Sequence, residues 1–511
     1  MSKARAVELK KRLESLLASV DAELIRDNQR ILAFETVSGG NPEQEAKYRA
    51  QIPACLLWLR ELATRMGFEF RQWDNKVAEI EWAEAPEPGQ RRPVMGIAAH
   101  IDVVTPAGRW KYGPFDGTIE NGILYGRGTQ DDKGPLIQAL YGMYLAKEAG
   151  VVPSCDIRLI IGTREETGDW SDVEFYIKHR GAPDFGFTPD AEFPLITGEK
   201  GMINLEFTAQ WPKVAPNAET GMEWVSLKGG ERSNIIPALS EVLLRFPVDS
   251  RHAVMKELVR ETTRYTVENP GSNVTLIPNN ETDSASRGYY EALVSFVGKA
   301  AHSSLPDKGY NAIADSLKFF SDIETLPPPV RAFIQFLALM ASQTDGSPLQ
   351  IDSTHPFVGA TTAALTLCTI ETDKGFGLLN VRPTMGMSCK TVLENAKAAA
   401  SAFADATGLQ INVEPRAGRA VEAIYLDPEK PGIATFINAL RTGYETVVDK
   451  PGDPMAIGGT TYAKAFPNFC AFGPVLLGVD EELAHQADEH LALDSIRRNT
   501  LIYALSIACM G

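Results

Sequence analysis

His100 and Asp102 stand where the apolar run 94–99 ends, a run long enough for one buried strand. Residues i and i+2 of a strand point to the same side, so imidazole and carboxylate lie together where the strand leaves its sheet. A metal-ligating His commonly gives its second N–H to a carboxylate or carbonyl, and His-x-Asp at a strand end fits that pairing. Asp131 and Asp132 follow, between Gly126-Arg127-Gly128 and Lys133-Gly134, just before the apolar run 136–144. They set two carboxylates in a tight turn that enters a helix. An Asp there can be simply an N-cap. The turn is acidic and lacks the Gly-x4-Gly-Lys-Ser/Thr pattern of a phosphate loop. Glu165 and Glu166 end the apolar run 156–163. Consecutive residues diverge at a strand end, so one carboxylate can bind a metal while the other points at its water. Asp190 closes the run 185–190, and His485 precedes the last helix. His302 closes the strand expected over the alternating run 293–297 and precedes a helix, and Arg382 ends the run 378–382. Taken singly, these last two read as a turn His and a surface Arg.

The elements that must position these groups alternate between strand and helix. Carboxylates at strand ends imply an α/β sheet, whose ligands bind at its C-terminal edge. Residues 5–35 read as one or two amphipathic helices, 44–66 as another, and 68–82 as one or two strands. Residues 86–89, Pro-Glu-Pro-Gly, form a turn. The segment 171–180 is helical, and His179 near its end complements the helix dipole. After Gly198-Glu199-Lys200-Gly201 the pattern becomes strand-rich, with excursions at 269–273 and 327–329. This predicts a second domain over 202–412, of roughly 210 residues. From 413 the α/β pattern resumes, with a helix at 433–447, a strand at 469–474 and a closing helix at 494–509. Besides His100, His302 and His485, four of the seven histidines remain, and none of them is given a catalytic role.

At 511 residues the chain has room for two or three domains. Its 44% hydrophobic and 23% charged content is that of a globular protein with a sizeable core. A net charge of −16 argues against nucleic acid or anionic membranes as partners. It leaves open acidic pockets built for cations. The six cysteines are scattered without a CxxC, which reads as reduced thiols of a cytoplasmic protein. Residues 1–27 are charged and helical in period rather than a leader, and no apolar run approaches membrane-spanning length.

Taken in order, the stretches match one pattern. They are His100-Ile-Asp102-Val-Val, Gly126-Arg-Gly-Thr-Gln-Asp131-Asp-Lys-Gly-Pro135, Glu165-Glu166-Thr-Gly, Pro189-Asp190-Ala-Glu-Phe-Pro194, Gly198-Glu-Lys-Gly201, Ala301-His302, Gly458-Gly-Thr-Thr-Tyr-Ala463 and His485-Gln486. The set resembles the dinuclear zinc exopeptidases and amidohydrolases that include carboxypeptidase G, aminoacylase and succinyl-diaminopimelate desuccinylase. The PD-x-E-F-P and GEKG segments favour its dipeptidase branch over the deacylases, and within that branch the whole chain looks most like the bacterial dipeptidase V group, which includes β-alanyl substrates. Departures are small: Thr105 precedes the usual proline, and Ser303-Ser304 replaces a glycine-containing turn.

The resemblance implies a mixed-sheet α/β catalytic domain of the zinc exopeptidase, or phosphorylase/hydrolase-like, type. Residues 1–201 and 413–511 would build it, with 202–412 inserted as an α+β lid. It implies that His100 and Asp190 hold one metal, Glu166 and His485 the other, and that Asp131 bridges them. Glu165 would be the general base, Asp102 would orient His100, and Asp132 would lie outside the ligand set. His302 would stabilise the oxyanion and Arg382 would take the substrate's C-terminal carboxylate. Asn234 and the backbone of Gly458, Gly459 and Thr460 would touch substrate. The metals implied are two divalent ions, Zn2+ first, with Mn2+ or Co2+ served by the same ligands. The activity implied is hydrolysis of unblocked dipeptides. The alternatives are an N-acyl-amino-acid amidohydrolase, or a non-catalytic metal-binding descendant that would have lost a ligand or the base. Glu192 is the candidate acid for a substrate amine. The length of the lid implies a monomer, a homodimer being the alternative.

Overall fold

The computed structural model describes the chain except residues 2, 40, 86–90, 220, 279–287 and 417–419, so the turn expected at 86–89 lies outside the described residues. The chain divides into two compact units, Met1–Glu199 with Ile424–Gly511, and Lys200–Ala423.

The first unit is built on a nine-stranded mixed sheet. Four neighbouring strands at its centre, Asp156–Gly162, Val94–His100, Phe185–Thr188 and Phe469–Ala471, all run parallel. Val77–Trp82 and Glu69–Trp73 extend one side antiparallel, and Leu195–Glu199 with Ile424–Tyr425 the other. Val94–His100 is buried along its whole length, as expected of an unbroken apolar run covered on both faces. Three of the central strands therefore deliver their chemistry to one edge. His100 is the last residue of its strand, while Glu165 follows Gly162 and Asp190 follows Thr188 within a few residues.

Helices cover this sheet. Residues Lys3–Leu32 form a single helix with Leu13 and Leu24 fully buried. Pro42–Arg65 begins at Asn41, whose side chain and that of Gln44 form a reciprocal capping box. Lys133–Glu148 starts directly after the two adjacent acids. Asp132 occupies its N-cap position but makes no capping bond with its side chain, so the capping role does not account for that carboxylate. This helix is buried nearly all round and lies on the closing helix Leu493–Ala508. Gly142 permits the approach, since a Cβ there would sit 2.8 Å from Tyr503 Cβ.

The second unit has an eight-stranded sheet in which every pairing is antiparallel. Ile203–Gln210 shows the alternating burial of a strand with one face on a core. Helices Arg251–Glu268, Ala312–Ser321, Pro328–Met340 and Cys389–Thr407 supply the rest of that core. Two details differ from expectation. The unit extends to Ala423 rather than 412, because Asn412–Pro415 is an edge strand paired with Leu205–Thr208. Its residues are exposed apart from Val413, so little in the sequence announces a strand. His302 does not cap the strand Tyr289–Val297. It lies on the two-residue strand Ala301–His302, paired with Ile235–Ile236. No helix among the described residues is long and apolar enough to cross a membrane.

Candidate metal centre

At the C-terminal edge of the first unit's sheet, His100 Nε2 lies 3.0 Å from Asp131 Oδ1 and 3.7 Å from Asp190 Oδ2. His485 Nε2 lies 3.0 Å from Asp131 Oδ2 and 3.0 Å from Glu166 Oε2. Asp131 thus turns one carboxylate oxygen toward each imidazole. Ligand atoms of His100, Glu165 and Asp190 fall within 4.8 Å of one another, as do those of Asp131, Glu166 and His485. The structure therefore brings together all five ligands expected from the sequence and adds Glu165 to the group around His100.

Backbone contacts hold these side chains in place. His100 Nδ1 meets the carbonyl oxygen of Asp102 at 2.9 Å and so donates to it, which leaves Nε2 facing Asp131. The Asp102 carboxylate is farther from that ring, at 3.5 Å, and accepts instead the backbone N–H groups of Glu165 and Glu166, each at 3.1 Å. Asp102 thus ties the two acids of one turn to the imidazole of the next strand. Asp132 accepts the backbone N–H of His100 at 3.2 Å.

Two further residues had no role in the sequence reading. Asp172 accepts the N–H groups of Thr163 and Arg164 at 2.6 and 2.9 Å, fixing the approach to Glu165. Tyr462 donates to Asp172 and sets its ring edge-on to His100 with centroids 5.9 Å apart. Tyr462 falls inside the Gly458–Ala463 motif, which was the one signal available for it.

The donor set fits divalent cations. His100 Nε2 and Asp131 Oδ1 are buried and face each other at 3.0 Å, yet neither makes a hydrogen bond. Orphaned buried polar atoms call for a partner. Electrostatics point the same way. Burial raises the Glu165 carboxyl well above its usual range, and Asp190, Glu166 and Asp131 push it further up. Burial and Asp131 raise Glu166 as well, and bring Asp190 up to about 7. Burial would also raise Asp131, but its contacts with His100 and His485 hold it far below the carboxylate range. Burial opposes a charge on His100, yet Asp102, Asp131 and Asp190 raise it; at His485, Glu166 is the leading cause of the rise. Buried carboxylates this close together repel unless they are protonated or share cations.

The remaining candidates divide between the units. Gly458, Gly459 and Thr460 belong to the first, where Lys464 Nζ donates to Gly459 O at 3.3 Å and Thr460 Oγ1 at 3.0 Å. Lys464 also pairs with fully buried Glu199, which accepts from the hydroxyl and the N–H of Thr461. Glu192 has one buried carboxylate oxygen without a hydrogen bond, and burial and Glu482 bring its carboxyl up to about 7. Asn234, His302 and Arg382 belong to the second unit and are joined there. Ser303 N–H donates to Asn234 O at 2.9 Å, and both Ser303 Oγ and Arg382 Nε donate to Asn380 Oδ1, at 2.8 and 3.1 Å. The N–H of Ser304 and its hydroxyl lie on His302 Nδ1, at 3.4 and 2.6 Å. Arg382 is 3% exposed, and burial lowers its guanidinium to about 10, leaving it charged at neutral pH.

Residues 96–508 match the model of peptidase family M20/M25/M40. The chain belongs to this family. A Beta-Ala-Xaa dipeptidase of Lactobacillus delbrueckii subsp. lactis is 31% identical over 458 residues, 87% of this chain and 86% of that protein. Among solved structures, human carnosine dipeptidase 1 superposes with a TM-score of 0.59 at 13% identity, covering 98% of each chain. The dipeptidase Dug1p of Saccharomyces cerevisiae superposes with a TM-score of 0.56 at 14% identity, covering 100% of this chain and 99% of that one. The family and the fold read from the ordered motifs are thereby established for this chain: an M20 peptidase, a hydrolase, with a mixed α/β architecture.

Proposed function

We propose that this M20 peptidase is a metal-dependent dipeptidase whose site holds two divalent cations. The observation that carries this reading is the carboxylate of Asp131, with one oxygen 3.0 Å from His100 and the other 3.0 Å from His485. Each imidazole has further acids beside it, so two ions can share one bridging residue. His100 and Asp190 are assigned to one ion, Glu166 and His485 to the other. Such ions, when bound, polarise a scissile carbonyl and lower the pKa of a coordinated water. Zn2+ is the ion proposed; Mn2+ and Co2+ suit the same donors.

The chain's own groups then have the following tasks. Glu165 takes a proton from the attacking water and passes it to the leaving amine. Burial raises its carboxyl, the direction that favours taking up a proton. Asp102 and Asp172 keep its turn in place through the backbone N–H groups they accept. His302, with Nδ1 accepting from Ser304, keeps a proton on Nε2 for a developing oxyanion. Arg382 supplies a guanidinium suited to a substrate carboxylate. Asn234 and the Gly458–Thr460 backbone are assigned to substrate contact, and Glu192 to a substrate amine. The dipeptide class is favoured by the name of the Lactobacillus relative. Six buried free cysteines agree with a cytoplasmic setting, and the long inserted unit favours a monomer.

The test is hydrolysis of Leu-Gly, β-Ala-His, Leu-Gly-Gly and N-acetyl-Leu by metal-reconstituted protein, with and without chelator. Chelator-sensitive cleavage of the two dipeptides but not the tripeptide is expected. Cleavage of the acetylated amino acid alone moves the protein to the amidohydrolase reading. No cleavage of any substrate, with metal bound, favours the non-catalytic one.

A further inference from the structure

We propose that Glu489 is a positioning residue that sets Asp131 against His485, an inference that rests on the two-ion reading of the site. Glu489 is fully buried, four residues beyond His485. One of its carboxylate oxygens accepts the backbone N–H of Gly128 at 3.1 Å, of Gln130 at 2.8 Å and of Asp131 at 3.3 Å. The other pairs with the guanidinium of Arg127. Three of the four N–H groups of the Gly128–Asp131 turn therefore converge on one carboxylate from the segment that carries His485, while that of Thr129 bonds Gly126 O.

The grip is returned in the other direction. Gln130 donates its amide to Glu481 O and His490 O, each at 2.8 Å, and accepts the N–H of Leu483 at 2.9 Å. Arg127 also donates to Gln486 O at 3.1 Å. Side chains of each loop thus hold the backbone of the other, around the Asp131–His485 contact. His485 itself has a left-handed backbone with φ 65°, as does Asp488 with φ 57°. A non-glycine residue holds such a conformation where its surroundings over-determine it. The reciprocal clamp supplies that determination. It fixes the bridging carboxylate and the second imidazole before any ion arrives, so ion binding need not order either loop.

The experiment compares full-length wild type with Glu489→Gln and Gln130→Met. Glu489→Gln keeps an acceptor oxygen and removes the charge that Arg127 pairs with. Gln130→Met keeps the side-chain length and removes the three anchors on residues 481–490. Metal-free protein is titrated with Zn2+ against a chromophoric chelator, and its thermal unfolding is followed without metal. The looser of the two Zn2+ steps should weaken by about 10- to 100-fold in both variants, as supporting groups around metal ligands typically give. Wild-type affinity for both ions overturns the proposal, and so does a lowered melting temperature with affinity unchanged, which would mark a purely structural role. If Glu489→Gln does not fold, Gln130→Met decides alone. Wild type taking up fewer than two Zn2+ instead overturns the site reading, and the clamp falls with it.

Discussion

The sharpest question at the residue scale is whether Glu165 binds metal or moves protons. Its nearest oxygen groups with His100 and Asp190, so geometry alone permits a ligand. Glu165→Gln keeps the shape and the acceptor oxygen but cannot take a proton. As general base its replacement should lower kcat by about 10²- to 10⁴-fold with two ions still bound per chain. Elemental analysis beside steady-state kinetics separates the roles: loss of an ion together with activity would make Glu165 a ligand. Arg382 poses a question of substrate. It is charged, nearly buried, and held by Asn380. A charge-assisted hydrogen bond to a substrate carboxylate contributes about 1.5–3 kcal/mol. Arg382→Ala should therefore lower kcat/KM for Leu-Gly about 10- to 100-fold, chiefly through KM. Leu-Gly-amide should change far less. An equal fall on both substrates would point to lost packing instead.

Elements determine how much of this could be read in advance. His100, Glu165 and Asp190 could be singled out because each follows an apolar run long enough for a buried strand. Asp131 could be singled out because two acids between glycines precede an apolar run that reads as a helix. Asp172 and Glu489 were not, and Tyr462 only as a member of the Gly458–Ala463 motif, since their partners are brought near by tertiary structure. The pairing of Ala301–His302 with Ile235–Ile236 was hidden for the same reason: two residues carry no periodicity. The helix Lys133–Glu148 illustrates a constraint that composition conceals. A methyl at Gly142 would meet Tyr503 Cβ at 2.8 Å and Ala504 N at 3.0 Å. Gly142→Ala should destabilise by about 1–3 kcal/mol despite alanine's better helix propensity, as urea unfolding will measure. On the sheet's antiparallel side, Glu81 is 6% exposed and sits among Arg71, Arg158 and Arg180. Burial alone would raise its carboxyl, but these three guanidinium groups bring it below its ordinary 4.5. A carboxyl depressed in the folded state adds stability above its unfolded pKa and loses it as pH falls through the folded one. Wild type should exceed Glu81→Gln by about 1.5–3 kcal/mol at pH 7, and the gap should close as pH drops below about 4.5. A gap independent of pH would assign the difference to packing.

For the whole molecule, two hydrophobic cores and a metal centre proposed in one of the two units imply uneven stability. The core of residues 1–199 with 424–511 contains none of the residues that form the core of 200–423. The five proposed ligands, from His100 to His485, all belong to the first unit, although the inserted unit separates His485 from the others in sequence. An ion that binds only the folded state stabilises it by RT ln(1 + [L]/Kd), about 4 kcal/mol when free ion is a thousandfold above Kd. That stabilisation falls on the unit that owns the ligands, and chains of two such units need not unfold in one step. Scanning calorimetry of the metal-loaded chain should therefore resolve two transitions, and chelation should lower one by several degrees while leaving the other in place. The responsive transition should also lose its metal dependence in Asp131→Ala, which removes the bridging carboxylate without touching the second core. If a single transition were seen and chelation lowered it as a whole, the two units would unfold as one cooperative body. If it moved neither, the acids gathered around His100 and His485 would owe their places to something other than a cation.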